Sequence, residues 1–311
     1  MTKIVFIGCR RMGFETLEYL LKNHRKKIVA AYTLDKSLAK KTAYFFSFEK
    51  LKKYGMPIRA VKDINHSKVI TQIVSQKPDL IITVAWSQIF SKEILKIPQL
   101  GCIGFHSSLL PKYSGGSPVN WGIINGEKQW GITLFYLTSS LDEGNIIAQE
   151  KFRIDLKDTC KTTYDKATLK AVRLLKKYLP QIIKGTAPRI KQNLSQATRF
   201  KRRKPEDGLI NWSKTKMQLY NWVRALTHPY PGAFTFFNGR KMHIWTAELT
   251  ESPSSYSPGK VIRLAKRGLI VSAKNGSVLI KKLQMDGDNE INASYAAEKY
   301  KIRVGDKFNN E

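Results

Sequence analysis

Apolar runs and amphipathic stretches alternate through the first half of the chain. Nearly continuous apolar strands separated by helices indicate a mostly parallel sheet covered on both faces, and so an α/β fold. The runs that predict buried strands are KIVFIG, KIVAAYTL, PIRAV, PDLIITVAW and LGCIGFH. Helices are predicted over FETLEYLLKN, over SFEKLKKYG, which Gly55 ends, and over HSKVITQIVSQK, where Asn65 is a possible N-cap.

Two further apolar runs, GITLFYL and NIIAQEKFRI, follow with few residues between them. Their close spacing favours an antiparallel edge of the same sheet. A long helix over CKTTYDKATLKAVRLLKKYLPQIIKG then ends the first domain, which we place at residues 1–187.

The pattern breaks in the polar, basic stretch that follows, and residues 188–205 are predicted as a linker. Beyond it, QLYNWVRALTH predicts a helix, and several short strand-like runs are separated by turns. The Asn-Gly pairs at 238–239 and 275–276 favour hairpins. We therefore predict a small, open β-barrel domain over residues 206–311.

The strongly positive net charge allows polyanions among the possible partners. The 311 residues include 54 Lys and Arg against 24 Asp and Glu, a net charge of +30. The excess is spread along the chain, except that residues 161–204 hold 14 basic residues against the single acid Asp165. A solvated helix face followed by a basic linker explains that segment, and contact with a polyanion such as RNA, a nucleotide sugar or a membrane surface stays open.

Several classes of protein are disfavoured. No apolar run reaches the roughly 18 residues of a membrane span, and the N-terminus does not have the pattern of a secretory signal. Cys9, Cys102 and Cys160 are odd in number and far apart, which predicts reduced thiols in a cytoplasmic protein. The stretch GCRRMG lacks the glycine spacing of a dinucleotide-binding loop, and the scattered histidines predict no metal site.

Candidate chemistry is concentrated in GFHSSLLPKYSGGSPVNW. His106 ends a predicted strand, and ligands of open parallel sheets lie beyond the carboxyl ends of the strands. Asp142 follows the ITLFYL run, which would bring it to the same edge. An imidazole oriented by a carboxylate is a general acid/base pair. A structural histidine and a turn aspartate before a glycine are the alternatives.

The combination HSSLLPKYSGG and LDEGNII resembles N-x-H-x-S-L-L-P-x-x-R-G and L-D-x-G-D-I of the 10-formyltetrahydrofolate-dependent formyltransferase family. The segments KIVFIG, AWSQIFSKEIL and RKPEDGLINW with VRALTHPYPGAFTFFNGRK are similar to other parts of its two-domain members. The resemblance implies a Rossmann-like catalytic domain and transfer of a formyl group from 10-formyltetrahydrofolate to a primary amine. A homodimer is possible.

The resemblance implies that His106 and Asp142 are catalytic. The family's asparagine falls on Gly104, its arginine on Ser114 and its second acid on Asn145, so three motif positions differ. Loss of one oxyanion donor typically costs about 3–4 kcal/mol. Asn120, in a segment similar to that of a related hydrolase domain that also lacks the asparagine, is a candidate substitute. A residue at the start of a helix, solvated or capping, is the alternative.

Similarity also places the folate pterin between two turns, with a corner at the mouth of the site. The predicted folate contacts are Gln88, Ile89 and Phe90, then Thr138, Ser139, Ser140 and Leu141, with Ser108, Leu109, Leu110 and Pro111 at the corner. Ordinary strand-to-helix and proline turns are the alternative interpretation.

The acceptor amine is favoured to be the amino sugar of a nucleotide-linked sugar. The segment LDKSLAKKTAYFFSFEK has aromatic residues and no glycine, unlike the basic, glycine-containing loop of the tRNA enzymes, and RALTHPYPGAFTFF also resembles the sugar enzymes. The basic segment 161–204 favours RNA instead. A methionyl-tRNA formyltransferase, a formyltetrahydrofolate hydrolase and a catalytically impaired binding protein remain alternatives.

Overall fold

The computed structural model describes residues 1–41, 46–252 and 255–309. Within these residues the helices are α1 (Arg10–His24), α2 (Ser67–Ser75), α3 (Lys92–Lys96), α4 (Pro118–Ile124), α5 (Cys160–Ile183), α6 (Lys216–Leu226) and α7 (Ala293–Lys299). The strands are β1 (Ile4–Gly8), β2 (Ile28–Leu34), β3 (Ile58–Val61), β4 (Leu80–Val84), β5 (Cys102–His106), β6 (Ser114–Gly115), β7 (Gln129–Tyr136), β8 (Ile146–Arg153), β9 (Arg199–Phe200), β10 (Ala233–Phe237), β11 (Arg240–Leu249), β12 (Val261–Ala265), β13 (Gly268–Ala273), β14 (Gly276–Met285) and β15 (Ile291–Asn292).

The chain divides into two compact units. The first contains Met1–Pro118, Gln129–Arg153 and Tyr164–Lys201, and the second contains Val119–Lys128, Ile154–Thr163 and Arg202–Glu311. From the sequence, we predicted each domain as one continuous stretch. In the structure, two short segments of the first half, 119–128 and 154–163, belong to the C-terminal unit. The first unit also includes most of the predicted linker 188–205.

The sheet of the first unit has, within the described residues, the order β3-β2-β1-β4-β5-β7-β8. The five strands from β3 to β5 are parallel, and β7 and β8 are antiparallel to their neighbours. This confirms the mostly parallel, Rossmann-like fold and the antiparallel edge. The apolar run Ile4–Gly8 is buried along its whole length because β1 lies in the middle of the sheet.

An apolar cluster on this sheet positions two of the loops that concern the candidate site. Val5, Ile7 and Ile81 of the central strands pack with Phe90, which follows β4, and with Leu137, which follows β7. Burial of a side chain of this size is worth about 1.5–3 kcal/mol. The loop after β4 is therefore anchored to the sheet by Trp86 and Phe90, and the loop after β7 by Leu137.

Two details differ from the prediction. SFEKLKKYG forms a 3-10 helix, Glu49–Tyr54, although Gly55 ends it in the left-handed conformation as expected. The ring of His66 caps α2, not Asn65. The Asn65 side chain instead donates to the Ile89 carbonyl and accepts from the N–H of Ser91, so it holds the turn after β4.

The C-terminal unit contains an antiparallel sheet in the order β10-β11-β14-β13-β12, with β15 on β14. The hairpin between β10 and β11 turns at Asn238 and Gly239, both with positive φ, as the Asn-Gly signal predicts. Phe236 in β10 pairs with Asn309, and Lys260 next to β12 pairs with Lys307. The C-terminal segment thus links the two edge strands, as expected for an open barrel.

The cysteine thiols are buried. Burial raises the pKa of Cys102 and of Cys160 to about 12, and both are free thiols. The thiol of Cys9 donates to the Ala85 carbonyl at 2.7 Å. Within the described part of the chain, no helix has both the length and the apolar composition needed to cross a membrane.

Candidate active site

His106 is the last residue of β5, and its side chain is only 10% exposed. Its Nε2 lies 2.8 Å from the Tyr113 carbonyl. A carbonyl oxygen can only accept a hydrogen bond, so this contact requires a proton on Nε2. Nδ1 is therefore the ring nitrogen whose protonation can change while the contact is kept.

Asp142 faces that nitrogen. Its Oδ2 lies 3.5 Å from His106 Nδ1 and accepts the Gly115 N–H at 2.8 Å, and its side chain is 11% exposed. A nearly buried carboxylate that accepts a backbone N–H is fixed in orientation. When the ring is protonated, the two side chains form an ion pair at this distance.

The route that brings Asp142 there differs from the prediction. Because β7 is antiparallel to β5, its last residue, Tyr136, pairs with Ile103 near the start of β5, and β7 does not end at the edge where His106 lies. The loop after β7 turns back, and Asp142 adopts a left-handed φ of +60°. The predicted pair is therefore present, but the return of this loop creates it, not a shared strand edge.

The structure fills the space beside Gly104. A Cβ at this position would lie 2.7 Å from Leu137 Cδ1 and 2.9 Å from Thr83 Cγ2. An asparagine there would require both side chains to move. Leu137 and Thr83 thus pack against Gly104 at the position where the resemblance implies an amide.

The two other positions at which the resemblance implies a different residue, Ser114 and Asn145, have structural partners. Ser114 is buried, and its hydroxyl donates to the Thr198 carbonyl at 3.2 Å. The Asn145 carbonyl accepts the N–H of Tyr136 at 2.9 Å. Neither position supplies a cation or an acid to the site.

Asn120 lies in α4 and belongs to the C-terminal unit. Its amide donates to the Ala225 carbonyl of the same unit at 2.6 Å, and its Oδ1 is buried with no hydrogen-bond partner in the part of the chain that the structure describes. Asn120 is buried, which excludes the solvated helix-start residue considered as one alternative. Its contact favours a structural role, and its use as a substitute oxyanion donor stays a prediction.

The turn after β4 is tied to the backbone. The Gln88 side chain accepts from the Ile64 N–H at 3.0 Å and donates to the Lys62 carbonyl at 2.7 Å, and Phe90 is buried in the apolar cluster. Ile89 alone of the three predicted folate contacts in this turn has its side chain largely exposed, at 66%. Gln88 and Phe90 therefore shape the turn, and Ile89 presents an apolar surface.

The Ser108–Pro111 corner is built mainly from hydrogen bonds within the first unit. Ser108 donates to the Lys112 carbonyl at 2.7 Å, and Leu110 is buried, with its N–H on the Thr133 hydroxyl. Leu109 packs over Gly131. These contacts fix the corner next to the end of β5.

The loop from Thr138 to Leu141 is exposed. Thr138 donates to the Ser140 carbonyl, Ser139 has its side chain exposed, and Leu141 is 43% exposed. Near the other predicted wall, the indole N–H of Trp86 is buried without a hydrogen-bond acceptor among the described residues. Exposed apolar side chains and an unsatisfied donor fit a ligand with an aromatic ring and polar edges, as a pterin has.

Sequence reasoning missed two residues that contact the pair's surroundings. Gln192 donates to the carbonyls of Asp142 and Gly144, and the Thr198 hydroxyl accepts the N–H of Tyr113. Both lie in the stretch predicted as a linker. Among residues 1–41, 46–252 and 255–309, no group of three His, Cys, Asp or Glu side chains could hold a metal ion.

The sequence matches two family models over most of its length. Residues 3–179 match the model described as formyl transferase, and residues 202–301 match the formyl transferase C-terminal domain. The methionyl-tRNA formyltransferase of Staphylococcus aureus is 35% identical over 313 aligned residues, which cover 99% of this chain and 100% of the relative.

Solved structures show the same fold. The sugar 3N-formyl transferase WlaRD covers 93% of this chain and 99% of its own, at 22% identity and a TM-score of 0.67. The methionyl-tRNA formyltransferase of Clostridium thermocellum covers 89% of this chain and 100% of its own, at 21% identity and a TM-score of 0.59. With these matches to both domains and to a full-length relative, the chain belongs to the formyl transferase family.

Proposed function

We propose that this enzyme transfers the formyl group of 10-formyltetrahydrofolate to the α-amine of an aminoacylated tRNA, methionyl-tRNA. The observation that carries the chemistry is the His106–Asp142 pair at 3.5 Å. The acceptor is supported by the 35% identity to a methionyl-tRNA formyltransferase along the full length of both chains. The sugar enzymes among the solved structures resemble the chain at 22% identity, which speaks for the fold alone.

Two observations support 10-formyltetrahydrofolate as the donor: the ligands of structural relatives and the side chains of this chain's own loops. Structures of WlaRD and of HypX from Aquifex aeolicus were determined with 5-N-formyl-tetrahydrofolate and with tetrahydrofolic acid, respectively. In this chain, Ile89 and Leu141 would supply apolar contacts to the ring system, and the unsatisfied N–H of Trp86 would supply a hydrogen bond. Once bound, the donor supplies a formyl group on nitrogen, a one-carbon unit ready for transfer.

His106 and Asp142 would stabilise the charge that develops on the formyl oxygen and accept the proton that the acceptor amine loses. As the acceptor nitrogen bonds to the formyl carbon, negative charge grows on the formyl oxygen, and the positive charge of a protonated His106 ring would stabilise it electrostatically. The acceptor amine loses one proton and the departing nitrogen of the donor gains one, so no net proton is consumed. Asp142 orients the ring and accepts the amine's proton through water. Correct juxtaposition of the two reactants contributes about 7–11 kcal/mol in favourable cases.

A basic helix face supports a polyanionic acceptor. Helix α5 buries Ala171, Leu175 and Leu179, and its other side exposes basic residues. Within the first unit, the exposed basic residues of this helix are Arg173, Lys176 and Lys177. Glu150 pairs with Lys170 and Arg173. Lys176 and Lys177 have no carboxylate partner among the contacts of the described residues. Phosphates of RNA would neutralise such a face.

A nucleotide-linked amino sugar is the second candidate, as the sequence favoured. Its support is the glycine-free segment that ends at Lys50, whose residues 42–45 lie outside the described residues, together with RALTHPYPGAFTFF. The hydrolase and the impaired binding protein also stay predictions, as do a homodimer and a cytoplasmic location.

One assay distinguishes these functions. Full-length protein is incubated with 10-formyltetrahydrofolate and either initiator methionyl-tRNA or a dTDP-linked amino sugar, and the formylated product and free tetrahydrofolate are measured. We expect formylmethionyl-tRNA, with binding that weakens steeply as salt rises. A formylated sugar with unmodified tRNA would refute the proposed acceptor. Tetrahydrofolate release without any formylated product would indicate the hydrolase, and no turnover would indicate a binding protein.

A further inference from the structure

A short segment holds both members of the candidate catalytic pair. Tyr113 contributes the carbonyl that accepts from His106 Nε2 at 2.8 Å, and Gly115 contributes the N–H that Asp142 accepts at 2.8 Å. Displacement of residues 113–115 would therefore move the ring and the carboxylate relative to each other. The orientation of the pair depends on what holds this segment.

Residues 198–200 hold it. The Thr198 hydroxyl accepts the Tyr113 N–H at 2.9 Å, and the Thr198 carbonyl accepts the Ser114 N–H at 2.9 Å. The Tyr113 ring stacks on Phe200, with centroids 4.8 Å apart and planes 8° from parallel. Gly115 has a φ of +92°, and a Cβ there would collide with the Phe200 carbonyl. The short parallel pair of β6 and β9 is thus a close backbone contact.

Gln192 holds the other side of the pair. Its amide nitrogen donates to the Asp142 carbonyl at 2.8 Å and to the Gly144 carbonyl at 2.7 Å, and the side chain is buried. Asp142 has a left-handed φ, which is uncommon for a residue with a side chain and persists where the surroundings enforce it. A fork of two hydrogen bonds across the turn supplies that constraint.

These contacts are not part of an apolar core. Residues 193–199 have exposed side chains, and the segment carries only short secondary structure, the 3-10 turn Leu194–Gln196 and β9. The polar groups of Gln192, which is buried, and of Thr198, which is exposed, are instead directed at residues 113–115 and 142–144. A segment with little core of its own that is bonded to both halves of one site serves to position that site.

We propose that residues 192–200 are a positioning element of the active site, in which Gln192 fixes the backbone of Asp142 and Thr198 fixes the segment that orients His106. The inference rests on the proposed function for its kinetic consequences only. Neither residue touches the reacting atoms; each acts through another residue. A misplacement of about 1 Å at a catalytic group costs about 10²-fold in rate.

Matched variants of the full-length protein test the proposal. Thr198→Val removes the hydroxyl and keeps the shape, Thr198→Ser keeps the hydroxyl, and Gln192→Ala removes the forked donor. Gln72→Ala changes a neutral, exposed side chain of α2 and serves as the control. We expect Thr198→Val and Gln192→Ala to lower kcat by about 10-fold to 10²-fold with KM changed by less than about threefold. Thr198→Ser and Gln72→Ala should retain the wild-type kcat.

A second readout does not depend on activity. The ring nitrogens of the five histidines give separate signals in ¹⁵N NMR, and His106→Gln assigns the His106 pair. We expect the His106 signals to shift in Thr198→Val and Gln192→Ala and to stay in place in the two other variants. The positioning role would be overturned if folded Thr198→Val and Gln192→Ala kept both the His106 signals and the kcat of the wild type. It would also be overturned if these variants lost melting temperature while their His106 signals stayed unchanged. An inactive wild type whose His106 signals shift as expected would refute the proposed function and leave the positioning role supported.

Discussion

The Asp142 carboxylate lies between two groups, the His106 ring at 3.5 Å and the Gly115 N–H at 2.8 Å, both on the same oxygen, Oδ2. An asparagine can still accept the backbone N–H through its side-chain oxygen, but it carries no charge and cannot take a proton. Asp142→Asn should therefore change the free energy of unfolding by less than about 1 kcal/mol and lower the rate of formyl transfer by about 10²-fold to 10⁴-fold. Urea unfolding and a formyl-transfer assay measure the two effects. A variant with the wild-type rate would remove Asp142 from the mechanism.

Gly104 gives a prediction about the asparagine that the family resemblance implies at this position. Since Leu137 and Thr83 occupy the space beside it, Gly104→Asn should overpack the sheet and destabilise the protein by about 1–3 kcal/mol, without a gain in activity. Thermal unfolding measures the loss. In Gly104→Asn with Leu137→Ala, part of the stability should return, because the closer of the two side chains has been removed. A Gly104→Asn variant with wild-type stability and a higher rate of formyl transfer would contradict this account of the packing around Gly104.

Arg203 stabilises the C-terminal unit through two aromatic rings. Its guanidinium lies 4.8 Å from the ring centroid of Trp121 and 4.7 Å from that of Trp222. Burial lowers the pKa of Arg203, and the nearby Asp207 opposes this effect. Arg203→Lys keeps the charge but loses the planar stacking, so it should cost about 1–2 kcal/mol, and Arg203→Ala more. Tryptophan fluorescence during urea unfolding reports the change. Arg303→Ala, at an exposed position, is the control, and equal effects of Arg203→Ala and Arg303→Ala would refute the role.

His243 makes the stability of the C-terminal unit depend on pH. Burial lowers its pKa, and Lys241 lowers it further, while Asp286 acts in the opposite direction. The folded protein therefore binds this proton less readily than the unfolded chain. The contribution to stability is present above the unfolded pKa of about 6.5 and is lost as pH falls through it toward the lowered folded value.

His243→Gln should remove that part of the pH dependence. We expect the urea midpoint of the C-terminal unit to fall less between about pH 7.5 and pH 5 in the variant than in the wild type, whatever its absolute stability. His66→Asn, which replaces an exposed ring and keeps a capping acceptor, is the control and should retain the wild-type slope. An unchanged slope in His243→Gln would show that this ring does not titrate as its burial predicts.

The sequence was most informative where structure is local. Runs such as Ile4–Gly8 and Leu80–Val84 are almost entirely apolar because they are buried along their whole length, and their strand assignment was confirmed. The antiparallel edge was also predictable, from the short spacing between β7 and β8. The 3-10 helix Glu49–Tyr54 was not, because its residues suit any short helical turn.

The candidate site was predictable only in part. His106 and Asp142 were found through the motif that holds them, and their contact could not follow from strand order, since β7 runs away from the end of β5. Gln192 and Thr198 left no signal at all. They are neutral residues in a polar, basic stretch without periodicity, and their partners at residues 113–115 and 142–144 are distant in sequence. Long-range hydrogen bonds of this kind are set by the fold, not by local pattern.

The central claim is that His106 and Asp142 act as one unit in formyl transfer. A double-mutant cycle with His106→Ala, Asp142→Ala and the double variant tests it, with single-turnover rates measured on initiator methionyl-tRNA and 10-formyltetrahydrofolate. We predict that the double variant is no slower than the slower single variant, because removal of either partner already disables the pair. Rate losses that multiply in the double variant would mean that the two side chains act independently and would contradict this mechanism.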